Sequence, residues 1–223
     1  MILNIAMDGP VGAGKSTIAA EVARRLGILH LDTGAMYRAV GLTAIRRNVS
    51  LEDEAAVTAL CQGIDMSVAH GEKGQITMVD GEDVSAFLRT EDVSMAASKV
   101  AVYGGVRREM VAIQRRLAAQ TPMLLDGRDI CTRVLPDAPV KIYLTADAEE
   151  RARRRWLQLQ EKGAGDTFEQ VLADLKRRDE NDMNREVDPL RVAEDAIVVD
   201  STGLDFDQTV EKILKIVEER CHE

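Results

Sequence analysis

Cysteine is scarce in this chain and never paired. Cys61, Cys131 and Cys221 are three among 223 residues, far apart and odd in number. No two have metal-ligand spacing, and the pattern argues against a disulfide framework. A reducing cytosol is the compartment expected. Long apolar runs are also missing: none approaches the ~20 residues of a membrane span. The N-terminal "MILNIAMDG" turns polar too soon for a secretion signal. Nor is there excess positive charge. Lys and Arg number 29 against 38 Asp and Glu, a net charge of −9, so no nucleic-acid or membrane partner is expected. Repeats, low-complexity tracts and an interdomain linker are absent. What remains is 45% hydrophobic and 30% charged residues, enough for one α/β domain with small insertions.

The apolar segments are short and separated by helical patterns. Residues 2–7 read as a buried strand, and "STIAAEVARRLG" as a helix ending at Gly27. "ILHL" (28–31) reads as a second strand, followed by the helix "DTGAMYRAVGLTAIRR", which Asp32 or Thr33 is able to cap. "PMLLD", "VKIYLTA" and "AIVVD" have strand length. Strands alternating with helices predict an α/β fold with a parallel sheet covered on both faces. Two segments break the rhythm. Residues 65–84 hold short β-rich pieces joined by turns, including Asp80-Gly81, and predict a small antiparallel insertion. "RARRRWLQLQEKGAGDTF" is an Arg-rich helix running into a Gly-containing loop, like a hinged flap.

Between the first strand and first helix stands "MDGPVGAGKST". Gly9, Gly14, Lys15 and Ser16 fit G-x-x-x-x-G-K-[ST], the phosphate-binding loop. Successive backbone N–H groups must face phosphate oxygens, and side chains would block that approach. The helix start adds its positive dipole end. The candidate nucleotide-binding residues are therefore Gly9, Pro10, Val11, Gly12, Ala13, Gly14, Lys15, Ser16 and Thr17. Lys15 would sit on the β- and γ-phosphates, and the Ser16 hydroxyl would hold Mg²⁺. A chance match in a glycine-rich turn is the bland alternative; the strand before and helix after argue against it. No "NKxD" or "LSGGQ" motif points to a GTPase or a transporter ATPase.

A kinase that phosphorylates a phosphate needs cations beyond that lysine, and guanidinium forks match phosphate oxygens. Arg38 follows "LDTG", and Arg128 lies in "LDGRD", each just beyond a strand end. Ligands bind at that edge of open parallel sheets. Taken singly, each arginine reads as a surface residue paired with an acid; two of them at the sheet edge that holds a phosphate loop argue for a ligand instead. Arg151, Arg154 and Arg155 share a helical face. They read either as a solvated face paired with Glu149 and Glu150, or as a lid closing on the transferring group. Arg178, Asp182 and Arg185 form one stripe. That stripe is either a salt-bridged surface or a set of ribose and phosphate contacts.

Together "DGPVGAGKST", "LDTGAMYRA", "DGRD", "PDAPVKIYLTA", "EERARRR", "LQLQEKG" and "RRDENDMNR" resemble bacterial cytidylate kinase, in order, from about residue 3 to about 215. The resemblance implies the P-loop NTPase fold of nucleoside monophosphate kinases: a five-stranded parallel sheet flanked by helices, an antiparallel insertion and a lid. It implies a core of residues 1–33, 100–149 and 168–223, a monophosphate-binding segment at 34–99 and a lid at 150–167. ATP and Mg²⁺ are the implied co-substrate and cofactor, and CMP and dCMP the implied acceptors; because a kinase that closes around two substrates works as a single chain, a cytoplasmic monomer is the form expected. Arg38, Arg128 and Arg185 would grip the CMP phosphate, with Thr33 and Tyr37 beside them. Ser98, Arg107 and Asp129 would face the cytosine, and Arg178 and Asp182 the ribose. Lys15, Arg128 and the lid arginines Arg154, Arg151 and Arg155 would stabilise the transferring group.

The base chemistry fits this independently. Asp129 can accept from the cytosine N4 amine and Arg107 can donate to ring acceptors. Two departures stand out. Cys131 replaces the family's usual glycine, either constraining the loop after Asp129 or packing harmlessly. Gly104 and Gly105 loosen "YGGVRRE" ahead of Arg107. His30, His70 and His222 are expected to be incidental. The rival readings are a P-loop kinase for another acceptor, such as UMP, dTMP or shikimate, and a nucleotide-binding module without turnover.

Overall fold

The alternation of residues along β1 (Asn4–Asp8) divides the core in two. Ile5 and Met7 face one side of the sheet and pack with Ile18, Val22, Val210 and Ile213. Ala6 faces the other and joins Leu31, Met36, Val40 and Met110. Both faces are buried, which explains continuous apolar strands in place of strict alternation with polar residues. This computed structural model describes residues 3–71, 74–161 and 163–221; His222 lies outside them.

The parallel sheet has the order β2-β6-β1-β7-β8. Its other members are β2 (Leu29–Asp32), β6 (Met123–Gly127), β7 (Val140–Thr145) and β8 (Ile197–Asp200). β1 is central and pairs in register with β6 (Asp8 opposite Gly127) and β7 (Asp8 opposite Tyr143). The chain leaves β1 toward one edge and later returns to its other side, which makes the carboxyl end of β1 the switch point of the sheet. Helices α1 (Lys15–Leu26) and α8 (Phe206–Cys221) cover one face. The other side carries α2 (Thr33–Arg46) and α5 (Gly104–Ala118), with α4 (Glu91–Val100) packed on α2 and α3 (Glu54–Gly63) on α5. Helices α6 (Ala148–Glu161) and α7 (Phe168–Asn184) pack on each other.

Helix limits follow their capping residues. α1 ends at Gly27, in the left-handed conformation at φ 66°. The Asp32 carboxylate accepts the Ala35 N–H at the start of α2, and Thr167 with Gln170 forms a reciprocal capping box on α7. The expected insertion is a three-stranded antiparallel sheet of β3 (Met66–Gly71), β4 (Gly74–Val79) and β5 (Glu82–Asp83). Asp80 and Gly81, both at positive φ, make the β4–β5 turn. This small sheet docks on the edge strand β2 through side chains. Gln75 Oε1 accepts the Asp32 N–H at 2.7 Å, and His70 Nε2 lies 2.7 Å from the His30 carbonyl.

The two departures noted in the sequence have local accounts. A Cβ on Gly105 would come within 2.3 Å of Thr58, so this glycine lets α5 approach α3. Cys131 is buried, with its N–H donating to Asp8 Oδ2 at 2.7 Å and Sγ 3.5 Å from the Ala6 carbonyl.

Candidate active site

The loop between β1 and α1 turns on three glycines. A Cβ on Gly9 would lie 2.0 Å from the Leu144 carbonyl oxygen, and Gly12 and Gly14 hold φ of 75° and 84°. Side chains are therefore excluded by contact at Gly9 and by conformation at the other two. Pro10 and Ala13 are buried, while Thr17 is exposed at the cavity wall. The Lys15 Nζ donates to the Pro10 carbonyl at 2.7 Å. Burial, aided by nearby Arg128, lowers the Lys15 pKa from 10.5 to about 7. An anion in the loop would reverse that balance.

Ser16 Oγ donates to Asp126 Oδ2 at 2.7 Å, and His30 Nε2 lies 2.6 Å from Asp126 Oδ1. The Asp126 main-chain oxygen accepts from Thr33 Oγ1 at 2.8 Å. Burial would raise the Asp126 carboxyl, but His30 and Ser16 hold it below the usual range. Burial likewise lowers His30, and Asp126 overrides it, raising the imidazole above its ordinary value. An ionised carboxylate beside a serine hydroxyl is a hard-oxygen donor set of the kind Mg²⁺ takes. The sequence signal for Asp126 is the acid closing the buried run "PMLLD", in the strand next to the phosphate loop. His30, expected to be incidental, is part of this group.

A cavity of about 350 Å³ opens at the carboxyl edge of the sheet and continues beside a larger one of about 1020 Å³. Lys15, Ser16, Thr33, Tyr37, Arg38, Ser98, Arg107, Arg128 and Asp129 border the first, as do Arg154, Arg155, Arg178, Asp182 and Arg185. Arg38 and Arg128, read from separate motifs, thus share one cavity with Lys15. Several of the cations there rest on acceptors, Arg38 and Arg128 among them. Arg38 donates to Asp32 Oδ2 at 2.6 Å, with its buried Nε unpartnered. Arg128 donates to Asp182 Oδ2 at 2.7 Å. Burial works against both charges of the Arg128–Asp182 pair, and their mutual attraction prevails. Asp182 is held low and Arg128 high. Burial and neighbouring arginines lower Arg178 and Arg185. The site therefore holds crowded guanidinium groups and an orphaned buried donor, as an anion site should.

Arg107 is 1% exposed, pairs with Asp129, and lies over the Tyr37 ring at 5.6 Å. Ser98 is exposed and donates to the Ser94 carbonyl. Arg178 and Asp182 lie on α7, but Arg185 is the residue just past its end.

The three arginines that the sequence placed on one helical face separate. Arg151 does not border the cavity. It is buried, and donates to the carbonyls of Ala146 and Val11 and to Asp179 Oδ2 at 2.6 Å. Asp179 also accepts the Val11 N–H at 2.9 Å. Arg151 and Asp179 thus clamp the outer bend of the phosphate loop, and the shared-face reading does not describe Arg151. Arg154 borders the cavity while donating to Glu150 and to the Ser201 carbonyl. Arg155 is exposed at the wall. Asp32, Asp126, Asp179 and Asp188 escaped sequence reasoning as site residues. Asp188 carried no motif at all, since only the fold brings it to Arg107.

The comparisons with known proteins agree with this arrangement. The family model described as "Cytidylate kinase" matches residues 5–219. A curated cytidylate kinase of Caldicellulosiruptor bescii is 49% identical over 214 residues, covering 96% of this chain and 95% of that protein. One of Bacillus velezensis is 47% identical over 218 residues, covering 98% and 97%. Among solved structures, an uncharacterised protein of Eubacterium ventriosum superposes with a TM-score of 0.55 at 11% identity, covering 97% and 98%. The shikimate kinase of Bacteroides thetaiotaomicron does so with 0.50 at 12%, covering 98% and 99%. Those two likenesses concern the fold. With the phosphate loop, the ring of arginines and near-complete coverage at almost half identity, the chain belongs to the cytidylate kinase family.

Proposed function

We propose that this chain transfers the γ-phosphoryl group of ATP to CMP or dCMP, giving ADP and CDP or dCDP. The observation that carries the reading is the cavity in which Lys15 faces Arg38, Arg128 and Arg185. A module that only binds a nucleotide has no use for that second anion site.

In this reading the loop of Gly9–Thr17 and Lys15 hold the ATP phosphates, and Arg38, Arg128 and Arg185 hold the acceptor phosphate beside Tyr37 and Thr33. An acceptor oxygen forms a bond to the γ-phosphorus as the bond to the β-bridging oxygen breaks. The acceptor phosphate is its own nucleophile, so no side chain must take a proton. The chain's work is positioning and charge neutralisation. Arg154 and Arg155 approach from α6 when residues 150–167 close over 34–99, excluding water. Arg151 acts through the loop it clamps. Ser16 and Asp126 are the residues that would hold Mg²⁺, which supplies neutralisation of the phosphate oxygens when bound. Asp129 accepts from cytosine N4, Arg107 donates to the ring and Ser98 lies at its edge. Asp182 and Arg178 serve the ribose. Closure around two nucleotides needs no second subunit, and we assign a cytosolic monomer.

Steady-state turnover with ATP, Mg²⁺ and each of CMP, dCMP, UMP and dTMP tests the assignment. CMP and dCMP should be used best. Preference for UMP or dTMP would make it a kinase of another acceptor. ATP binding without acceptor-dependent ADP release would make it a binding module.

A further inference from the structure

We propose that Asp188 sets the preference for cytosine over uracil by fixing the plane of the Arg107 guanidinium; this rests on the cytidylate reading above. Arg107 has five N–H groups. Nε donates to Asp188 Oδ2 at 3.1 Å, Nη1 to the Ala101 carbonyl at 3.1 Å, and Nη2 to Asp129. Three donors are thereby committed in three directions, while the Tyr37 ring lies against the group. Two N–H groups remain, one on each terminal nitrogen. That is the number needed for two adjacent ring acceptors.

Cytosine offers two such acceptors, N3 and O2. Uracil carries a proton on N3, so the same fork would meet it donor against donor. Such a mismatch discriminates only while the fork stays put. A guanidinium free to turn at Nε would swing aside and admit either base. Nε is the nitrogen Asp188 holds.

Asp188 is itself fastened. Its backbone is left-handed, at φ 47°, unusual for a residue with a Cβ. Its carbonyl accepts from Arg185 Nε at 2.7 Å, and its Oδ1 lies 3.6 Å from Arg133 Nε. The loop after α7 therefore joins the base-reading arginine to a phosphate-side arginine. Asp188 is a positioning residue: it acts on the base through Arg107.

The test is kcat/KM for CMP and for UMP, with ATP, in the full chain. Asp188→Gly keeps the left-handed backbone and removes the carboxylate. The CMP-to-UMP ratio should fall about tenfold, mainly through a higher KM for CMP, with the KM for ATP within about twofold of wild type. Asp188→Asn tolerates the same backbone and keeps an acceptor oxygen. Its ratio should fall about threefold, a readout that serves if the glycine variant does not fold. Equal losses for CMP and UMP with a lower Tm would show only neutralisation of a buried charge, and would overturn the proposal. An unchanged ratio in the folded variants, with a selective wild type, overturns it alone. A wild type indifferent to the base overturns it together with the cytidylate reading.

Discussion

Ser16 Oγ lies 2.7 Å from Asp126 Oδ2, joining the first turn of α1 to the end of β6. The other Asp126 oxygen is held by His30. Carboxylate, hydroxyl and imidazole form one half-buried line behind the phosphate loop. Asp126→Asn should lower turnover roughly 10–100-fold and raise the Mg²⁺ concentration for half-maximal rate. Mn²⁺ binding to the protein with ADP, read by electron paramagnetic resonance, should weaken in parallel. Unaltered Mn²⁺ affinity would remove Asp126 from the metal site.

Lys15 carries opposite demands from stability and activity. Burial depresses its pKa from 10.5 to about 7, so the fold disfavours an ammonium that the unfolded chain keeps. The cost is full at and below about pH 7 and vanishes as pH rises toward 10.5. Its ceiling is about 5 kcal/mol, part of which the bond to Pro10 offsets. Lys15→Met should therefore cut turnover at least ~10²-fold while raising the urea midpoint of the ligand-free protein near pH 7. A lower midpoint would contradict this account.

Asp8 gives the opposite pH window. Burial raises its carboxyl from 3.8 to about 6, against the opposing N–H groups of Cys131 and Ile130. The folded chain holds this proton more tightly than the unfolded one. The stability it contributes is full below about pH 4 and is lost as pH rises through about 6, a change of roughly 3 kcal/mol. Asp8→Asn does not titrate. Denaturant unfolding should show wild type losing ground to that variant between pH 4 and 6, with a constant difference above pH 7. A gap moving the other way would refute the assignment.

Asp129 tests the proposed base site directly. Asp129→Ala leaves the N4 amine without its acceptor and frees uracil O4 from a carboxylate. The ratio of CMP to UMP kcat/KM should fall by the equivalent of ~1–3 kcal/mol. Equal losses on both substrates would place Asp129 outside base recognition.

Much of this site was legible along the chain, and the boundary is physical. The phosphate loop is contiguous, its glycines demanded by backbone geometry and by the Leu144 carbonyl. Arg38 and Arg128 stand just beyond strands whose apolar runs are visible, so their shared edge followed from parallel topology. The insertion announced itself through Asp80-Gly81. Helical spacing placed Arg151, Arg154 and Arg155 together, yet Arg151 is drawn inward by Asp179 and the Val11 carbonyl. Periodicity gives a face; it does not say which side chain on that face finds a buried acceptor.

Local sequence determined the strands, the loop that turns between β1 and α1, and the identity of the cations, because those depend on neighbours a few residues apart. Tertiary structure decided which acid answers which base. Asp126 meets His30 across 96 residues, Asp182 meets Arg128 across 54, and Asp188 meets Arg107 across 81. These pairings depend on distance and desolvation in a packed interior, and neither exists until the sheet edge and the ends of α5 and α7 are brought together.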